Sequence, residues 1–401
     1  MKLFYTSFLV VFFIGCATQD NKKDNKNYWT GHLAIDEKKA IPFDFILKET
    51  PEKKEITIIN GEEKITLETV KTDGPFEFHF PNFNSFLKVD YFSNDSLKGV
   101  FINNDRNNKK KLQFEACKNP NYQKEKKLVL KEKWEVSFSY DSQSKYPAIG
   151  LFSYFEDDYV EGTFLTETGD YRFLSGAIND NYLQLSCFDG SHVFLFEAER
   201  VHDSLNGVFY SGSHWKTNWY GLKNDTFELN NPYEITHLVN EDKLQLSKLN
   251  LEKDTFHFPN TYFKGKVLII QVFGSWCPNC IDEIHYYNEL YKKYQHQGLE
   301  IIGLGYETPK RVDDKIARLQ KLKEKKDIQY TLLLGGEANK QKAAEDFPML
   351  NDITSFPTTI IINKQGEIVK IHTGFNGPGT GEVYENYKKE MEKALEKLIH
   401  E

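Results

Sequence analysis

Two cysteines, Cys277 and Cys280, stand in the segment Trp276-Cys277-Pro278-Asn279-Cys280, directly after the apolar run Val267 to Phe273. A strand that runs into a helix opening on Cys-x-x-Cys sets the first sulfur at the helix N-terminus. There the unpaired backbone N–H groups and the helix dipole favour a thiolate over a thiol. Cys280, one turn on, lies on the same side and can close a disulfide with Cys277. Pro278 suits the first turn, where its missing N–H costs nothing. Such a pair does thiol–disulfide exchange: the thiolate attacks a disulfide, and the second sulfur resolves the mixed disulfide. A metal knuckle is the competing use. Zinc wants four ligands, however, and no second Cys-x-x-Cys or His pair at ligand spacing exists. No metal and no cofactor are expected.

The elements that must position these sulfurs follow from about Leu251 onward. Val267 to Phe273 reads as a buried strand and Pro278 to Tyr294 as a helix. Next come a strand over Leu299 to Leu304 and a helix over Pro309 to Lys326, with Val312, Ile316, Leu319 and Leu322 at helical spacing. A strand at Tyr330 to Leu334 and a short helix at Asn339 to Phe347 follow. Thr358 to Ile362 and Glu367 to Ile371 form a hairpin around Asn363 to Gly366, and a helix over Val383 to Leu398 closes the chain. The order β-α-β-α-β-α-β-β-α predicts a mixed α/β layer fold.

The N-terminal half repeats itself. Asp95-Ser96-Leu97-Lys98-Gly99-Val100-Phe101 recurs as Asp203-Ser204-Leu205-Asn206-Gly207-Val208-Phe209, an offset of 203 − 95 = 108. The same offset pairs Ile41 with Ile149, Gly61 with Gly169, Val70 with Ile178, Phe80 with Phe188 and Leu87 with Leu195. A fixed register over such a length marks two copies of one module, at about residues 28–120 and 130–228. Period-two runs such as Phe76, Phe78 and Phe80, separated by Asn60-Gly61, Asp73-Gly74, Asn179-Asp180 and Asp189-Gly190, predict antiparallel sheets. Sandwich and barrel both remain open. The segments 118–133 and 230–250 read as links.

With 401 residues, 39% hydrophobic and 14% aromatic, the chain has material for two to three cores. Its net charge of −8 argues against a nucleic-acid partner, and the lysine runs at 124–127 and 321–326 read as solvated faces. The N-terminus reads as an address. Lys2 precedes an apolar stretch, Leu3 to Ile14, too short to span a bilayer, which ends in Phe13-Ile14-Gly15-Cys16. This resembles a bacterial lipoprotein signal over residues 1–15, with lipid attached to Cys16; the alternative is an ordinary secretory signal cut a little later. Residues 16–27 form a polar tether. Cys117 and Cys187 are left as a structural disulfide or two buried thiols.

The element order, with Trp-Cys-Pro-Asn-Cys after the first strand and Phe356-Pro357-Thr358-Thr359 before the hairpin, resembles a thioredoxin-fold protein. More narrowly, residues of about 252–401 resemble the TlpA/ResA-like, envelope-tethered thiol–disulfide oxidoreductases of the redoxin (AhpC/TSA) superfamily. The resemblance implies Cys277 as nucleophile, Cys280 as resolving cysteine, and Glu283 as the acidic residue of a Cys-x-x-Glu continuation. It implies that Pro357 is a cis-proline facing the disulfide and that Trp276, Phe356 and Pro357 meet the substrate. Gln271 stands where thioredoxin has a buried Asp, His285 where the family commonly has Pro, and Phe356 is bulkier than usual. With Gln271 unable to act as a base, Glu283 becomes the candidate proton acceptor for Cys280; otherwise it is a surface carboxylate. A lone His285 reads as a packing or partner-facing residue.

The expectation is an exported, lipid-anchored enzyme exchanging disulfides with protein thiols or disulfides, fed by a membrane electron donor that the resemblance alone implies. The β duplication would space the catalytic domain from the membrane or present a docking surface. A peroxiredoxin-like peroxidase and a surface binding lipoprotein are the alternatives.

Overall fold

The computed structural model of the chain describes residues 27–401 except 51–52, 72–73, 107–110, 121, 123–125 and 241–242. The expected signal peptide, Cys16 and the tether up to residue 26 lie outside the described residues.

Alternating burial along the N-terminal strands, as at Ile41, Phe43, Phe45 and Leu47, curls them into barrel-like sheets with one wet face. The first holds β1 (Tyr28–Ala34), β2 (Ala40–Glu49), β3 (Lys54–Asn60), β4 (Glu63–Thr66), β5 (Glu68–Lys71), β6 (Phe76–His79), β7 (Ser85–Phe92), β8 (Ser96–Asn103) and β9 (Lys111–Lys118). Its order is β4-β3-β2-β1-β9-β8-β7-β6-β5. The two ends meet at Leu67, the single residue between β4 and β5, whose N donates to Ile56 O of β3 at 2.9 Å.

The second holds β10 (Leu128–Phe138), β11 (Tyr146–Phe155), β12 (Tyr159–Thr166), β13 (Gly169–Asp170), β14 (Leu174–Asn179), β15 (Tyr182–Phe188), β16 (Val193–Val201), β17 (Ser204–Ser211) and β18 (Trp215–Lys223). β10 pairs with both β11 and β18, β11 with β12, and β12 with β14, so the ring closes, with β13 as a hairpin appended to β12. A barrel of this size is filled by side chains. Phe196 and Phe209 stack at 4.1 Å inside it, with Phe138, Phe164 and Trp219 around them.

The repeated heptapeptide has a physical reason. At Gly99 a Cβ would come within 2.0 Å of Lys88 O, and at Gly207 within 2.3 Å of Glu197 O. In both copies the neighbouring strand passes too close for a side chain. The barrels share a seam: Asn60 bonds Phe188 N and O at 3.0 and 3.1 Å, and Phe188 packs among Phe43, Phe80 and Phe101 of the first barrel. Phe196→Ala should cost about 3–5 kcal/mol of stability, read as a lower urea midpoint.

A short helix, α1 (Pro232–Ile235), leads to the C-terminal domain. Its strands are β19 (Leu246–Asn250), β20 (Thr255–Phe258), β21 (Val267–Phe273), β22 (Leu299–Glu307), β23 (Thr331–Glu337), β24 (Thr358–Ile362) and β25 (Ile368–Thr373). They lie in the order β20-β19-β23-β22-β21-β24-β25, with β21, β22 and β23 parallel. Because helices cover the sheet, β21 is buried at every residue, and the apolar run shows no alternation. The helices are α2 (Pro278–Tyr294), α3 (Val312–Lys325), α4 (Lys340–Glu345) and α5 (Glu382–His400). α5 buries Tyr387, Met391, Leu395 and Ile399, the i, i+4 stripe that the sequence pattern set one residue short, at Leu398. The edge hairpin β19–β20 was not foreseen, since its strands are short and half-buried. This layer order is the thioredoxin fold, preceded by an all-β region of barrel type.

Candidate active site

β21 ends at Phe273, and the chain turns through Gly274 so that Cys277 becomes the N-cap of α2, in extended conformation. Its sulfur accepts the backbone N–H of Cys280 at 3.3 Å and lies 3.5 Å from Phe356 O. Cys277 is 7% exposed and Cys280 fully buried. The two sulfurs are not joined in a disulfide. Burial, then the hydrogen bond and charge of Cys277, pushes the Cys280 thiol well up, so the resolving sulfur needs a base.

Phe356-Pro357 is a cis peptide, and Pro357 O accepts Gly374 N at 2.9 Å. Trp276 is anchored through Nε1 to Tyr306 O at 2.9 Å, its ring edge-on to Phe356 at 5.8 Å. Phe356 in turn stacks on Tyr306 at 5.6 Å. The bulk of Phe356 thus fills a place between two aromatic rings while its carbonyl faces Cys277.

Glu283 is fully buried. Gln271 and Thr359, paired across β21 and β24, donate to its two oxygens at 2.8 and 2.9 Å. Burial outweighs these bonds and pushes its carboxyl up to about 7. The surface-carboxylate alternative does not describe this residue. Its charge bears on Cys280. His285 points elsewhere, 3.2 Å from Lys326 Nζ, and burial holds it down at about 4. Trp276, Cys277, Cys280, Phe356 and Pro357 therefore meet at one place, Glu283 stands behind them, and His285 lies aside. Cys187 is fully buried in the second barrel, where burial and Asp189 push its thiol well up.

Several residues of the site had no sequence signal. Glu307, at the end of β22, is buried and accepts Ser275 N at 2.8 Å and Ser275 Oγ at 2.6 Å, bracing the turn before Cys277. Burial pushes it up to about 7. Asn279, inside the motif, donates to Phe375 O at 3.0 Å and to Asp170 O of the second barrel at 3.2 Å. Asp282 pairs with Arg172, whose guanidinium also meets Glu63 of the first barrel and lies 3.1 Å from Asp189. One cation cannot satisfy every carboxyl around it. Burial pushes Asp282 up to about 7, while His192 and Arg172 bring Asp189 down to about 2.

A carboxyl with a raised folded pKa holds its proton more tightly when folded, so its contribution is lost as pH rises. For Glu283 the window runs from its ordinary 4.5 to about 7. Stability should fall between pH 5 and 8, and Glu283→Gln should blunt that fall by roughly 3 kcal/mol at most, measured by urea unfolding at both pH values.

Residues 242–371 match the family model described as AhpC/TSA family. Over 111 residues the chain is 31% identical to the thiol-disulfide oxidoreductase ResA of Halalkalibacterium halodurans, covering 28% of this chain and 56% of that protein. Over 114 residues it is 31% identical to ResA of Geobacillus thermodenitrificans, covering 28% and 58%. The chain thus spans little more than half the length of these curated relatives. Among solved structures, a thioredoxin-family thiol:disulfide interchange protein from Chlorobium tepidum is similar at 16% identity and a TM-score of 0.30, over 40% of this chain and 98% of that one. StoA from Bacillus subtilis is similar at 17% identity and a TM-score of 0.27, over 37% and 98%. The C-terminal part of the chain is an AhpC/TSA-family domain on a thioredoxin fold, with the ResA thiol-disulfide oxidoreductases among its relatives.

Proposed function

We propose that the chain is an envelope-tethered thiol–disulfide oxidoreductase that exchanges disulfides with protein substrates through Cys277 and Cys280. The observation that carries this is Cys277 at the N-cap of α2, its sulfur accepting the N–H of a buried Cys280, with the raised carboxyl of Glu283 behind. In the reducing direction the Cys277 thiolate attacks a substrate disulfide, forms a mixed disulfide and expels one substrate thiolate. Glu283 takes the proton of Cys280; the Cys280 sulfur attacks Cys277, the mixed disulfide breaks, and the second substrate thiolate leaves. The two leaving thiolates take up the proton held by Glu283 and the one Cys277 released on ionising, so the substrate gains two electrons and two protons. Cys277–Cys280 becomes a disulfide for an electron donor in the membrane to reduce. Trp276, Phe356 and Pro357 flank the nucleophile where the substrate must come. Lipid on Cys16 would hold the chain at the membrane, and the barrels would space the catalytic domain from it. Among the described residues no helix is long and apolar enough to cross a membrane.

The test is reduction of a peptide dimer joined by one disulfide, with dithiothreitol as reductant. Catalytic amounts of protein should accelerate it well above the reductant alone; no acceleration contradicts the reading. Glu283→Gln should slow the resolving step by about 100-fold at neutral pH while sparing the first attack, seen as a mixed disulfide that accumulates in stopped-flow quenching. Equal slowing of both steps would remove Glu283 from the role of base.

A further inference from the structure

We infer that residues Thr166–Arg172 of the second barrel form a fixed wall of the dithiol site, which admits small or extended disulfides and excludes folded protein surfaces. The inference rests on the exchange chemistry proposed above and names the class of substrate that chemistry serves.

The β12–β13 hairpin pairs Thr166 with Gly169 and carries its tip to the catalytic domain. Thr168 O accepts the Ser355 hydroxyl at 3.0 Å, next to Phe356, whose carbonyl faces Cys277. Asp170 accepts Asn279 Nδ2 through its carbonyl at 3.2 Å and Gly377 N through its carboxylate. Arg172 Nη1 reaches Asp282 and lies 3.4 Å from Pro278 O, both in the opening turns of α2. The segment therefore threads between the start of α2 and the loop after β25, touching residues on both sides of the nucleophile.

The fit leaves no passage for another chain along that side. A Cβ at Gly374 would lie 2.6 Å from the Thr168 carbonyl carbon, and one at Gly379 would lie 2.9 Å from that of Arg172. Nor is the wall loosely held. Arg172 takes a left-handed backbone, φ +61, that a non-glycine residue keeps only when its surroundings impose it. Its guanidinium is buried among Glu63, Asp189 and Asp282, one from each folded unit, and withdrawing the wall would leave those carboxyls buried without their cation. Beside the wall a recess of about 190 Å³, bounded by Thr166, Asp170, His192, Phe194 and Asn279, is of side-chain size. Exchange needs the incoming sulfur in bonding contact with Cys277 Sγ, its partner leaving on the far side. With Cys277 only 7% exposed, a narrow disulfide can reach that geometry. A disulfide set in a flat folded surface meets the barrel first.

The experiment compares the reduced full chain on a linear peptide dimer joined by one disulfide and on native insulin. The peptide should react about 100-fold faster. A variant in which Glu167 and Thr168 are replaced by one glycine should narrow that gap to about tenfold or less, the ratio of the two rates being the readout. Where that variant does not fold, labelling of the reduced wild type decides: N-ethylmaleimide should modify Cys277 far faster than a maleimide carried on a bulky polymer. Equal rates on peptide and insulin, or equal labelling by both reagents, would overturn the wall. Failure to reduce even the peptide would instead overturn the exchange chemistry itself.

Discussion

Serine in place of Cys277 should lower peptide-disulfide reduction by about 1,000-fold or more and leave the fold intact. A hydroxyl is far less acidic and less nucleophilic toward sulfur than a thiol, so the first bond does not form. Neither Cys280 nor Cys187 can substitute. Cys280 is fully buried with its thiol pushed well up, and Cys187 is sealed inside the second barrel. The fold should survive because Cys277 caps α2 by accepting the N–H of Cys280, and serine is among the preferred N-caps. Steady-state kinetics beside a urea curve check both halves. Activity within tenfold of wild type would remove Cys277 from the nucleophile's role.

Arg172→Met should be the most destabilising single substitution among the interdomain contacts, by about 3–5 kcal/mol. It leaves Glu63, Asp189 and Asp282 without their shared cation, in surroundings where Arg172 and Asp189 are 7% and 1% exposed at the side chain. The sign of the pH dependence follows from the carboxyls. At pH 5 the upshifted Asp282 can stay protonated and relieve part of the cost. Without Arg172, which lowers it, the carboxyl is pushed higher still, so rising pH forces it to hold its proton against solution or to ionise unpaired, and the deficit grows. Urea unfolding at pH 5 and pH 8 should show the larger loss at pH 8. A substitution without effect at either pH would mean that the cluster does not join the three units.

What could be read from the chain beforehand was whatever leaves a local trace. Cys277 announces a helix start because Pro278 follows it, and α2 begins there. The run Val267 to Phe273 shows no alternation because both faces of β21 are covered. The offset of 108 persists because Gly99 and Gly207 both meet a neighbouring strand at close range. Barrel closure left no such trace, since it depends on β10 meeting β18 from opposite ends of its module. The pairing of Arg172 with Asp282 joins residues 110 apart, and that of Ser275 with Glu307 residues 32 apart. Neither has a spacing that a motif could carry. Glu283 was visible as a residue type, but its burial against Gln271 and Thr359 arises only once β21 and β24 pair.

The central claim is that one sulfur captures the substrate and the other releases it. The direct measurement is intact-mass analysis of the Cys280→Ser protein after incubation with the disulfide-linked peptide dimer. One peptide should remain bound per chain, mapped to Cys277 and released by dithiothreitol, while Cys277→Ser retains none. A Cys280→Ser protein that holds no peptide, or holds it on another residue, would contradict the account.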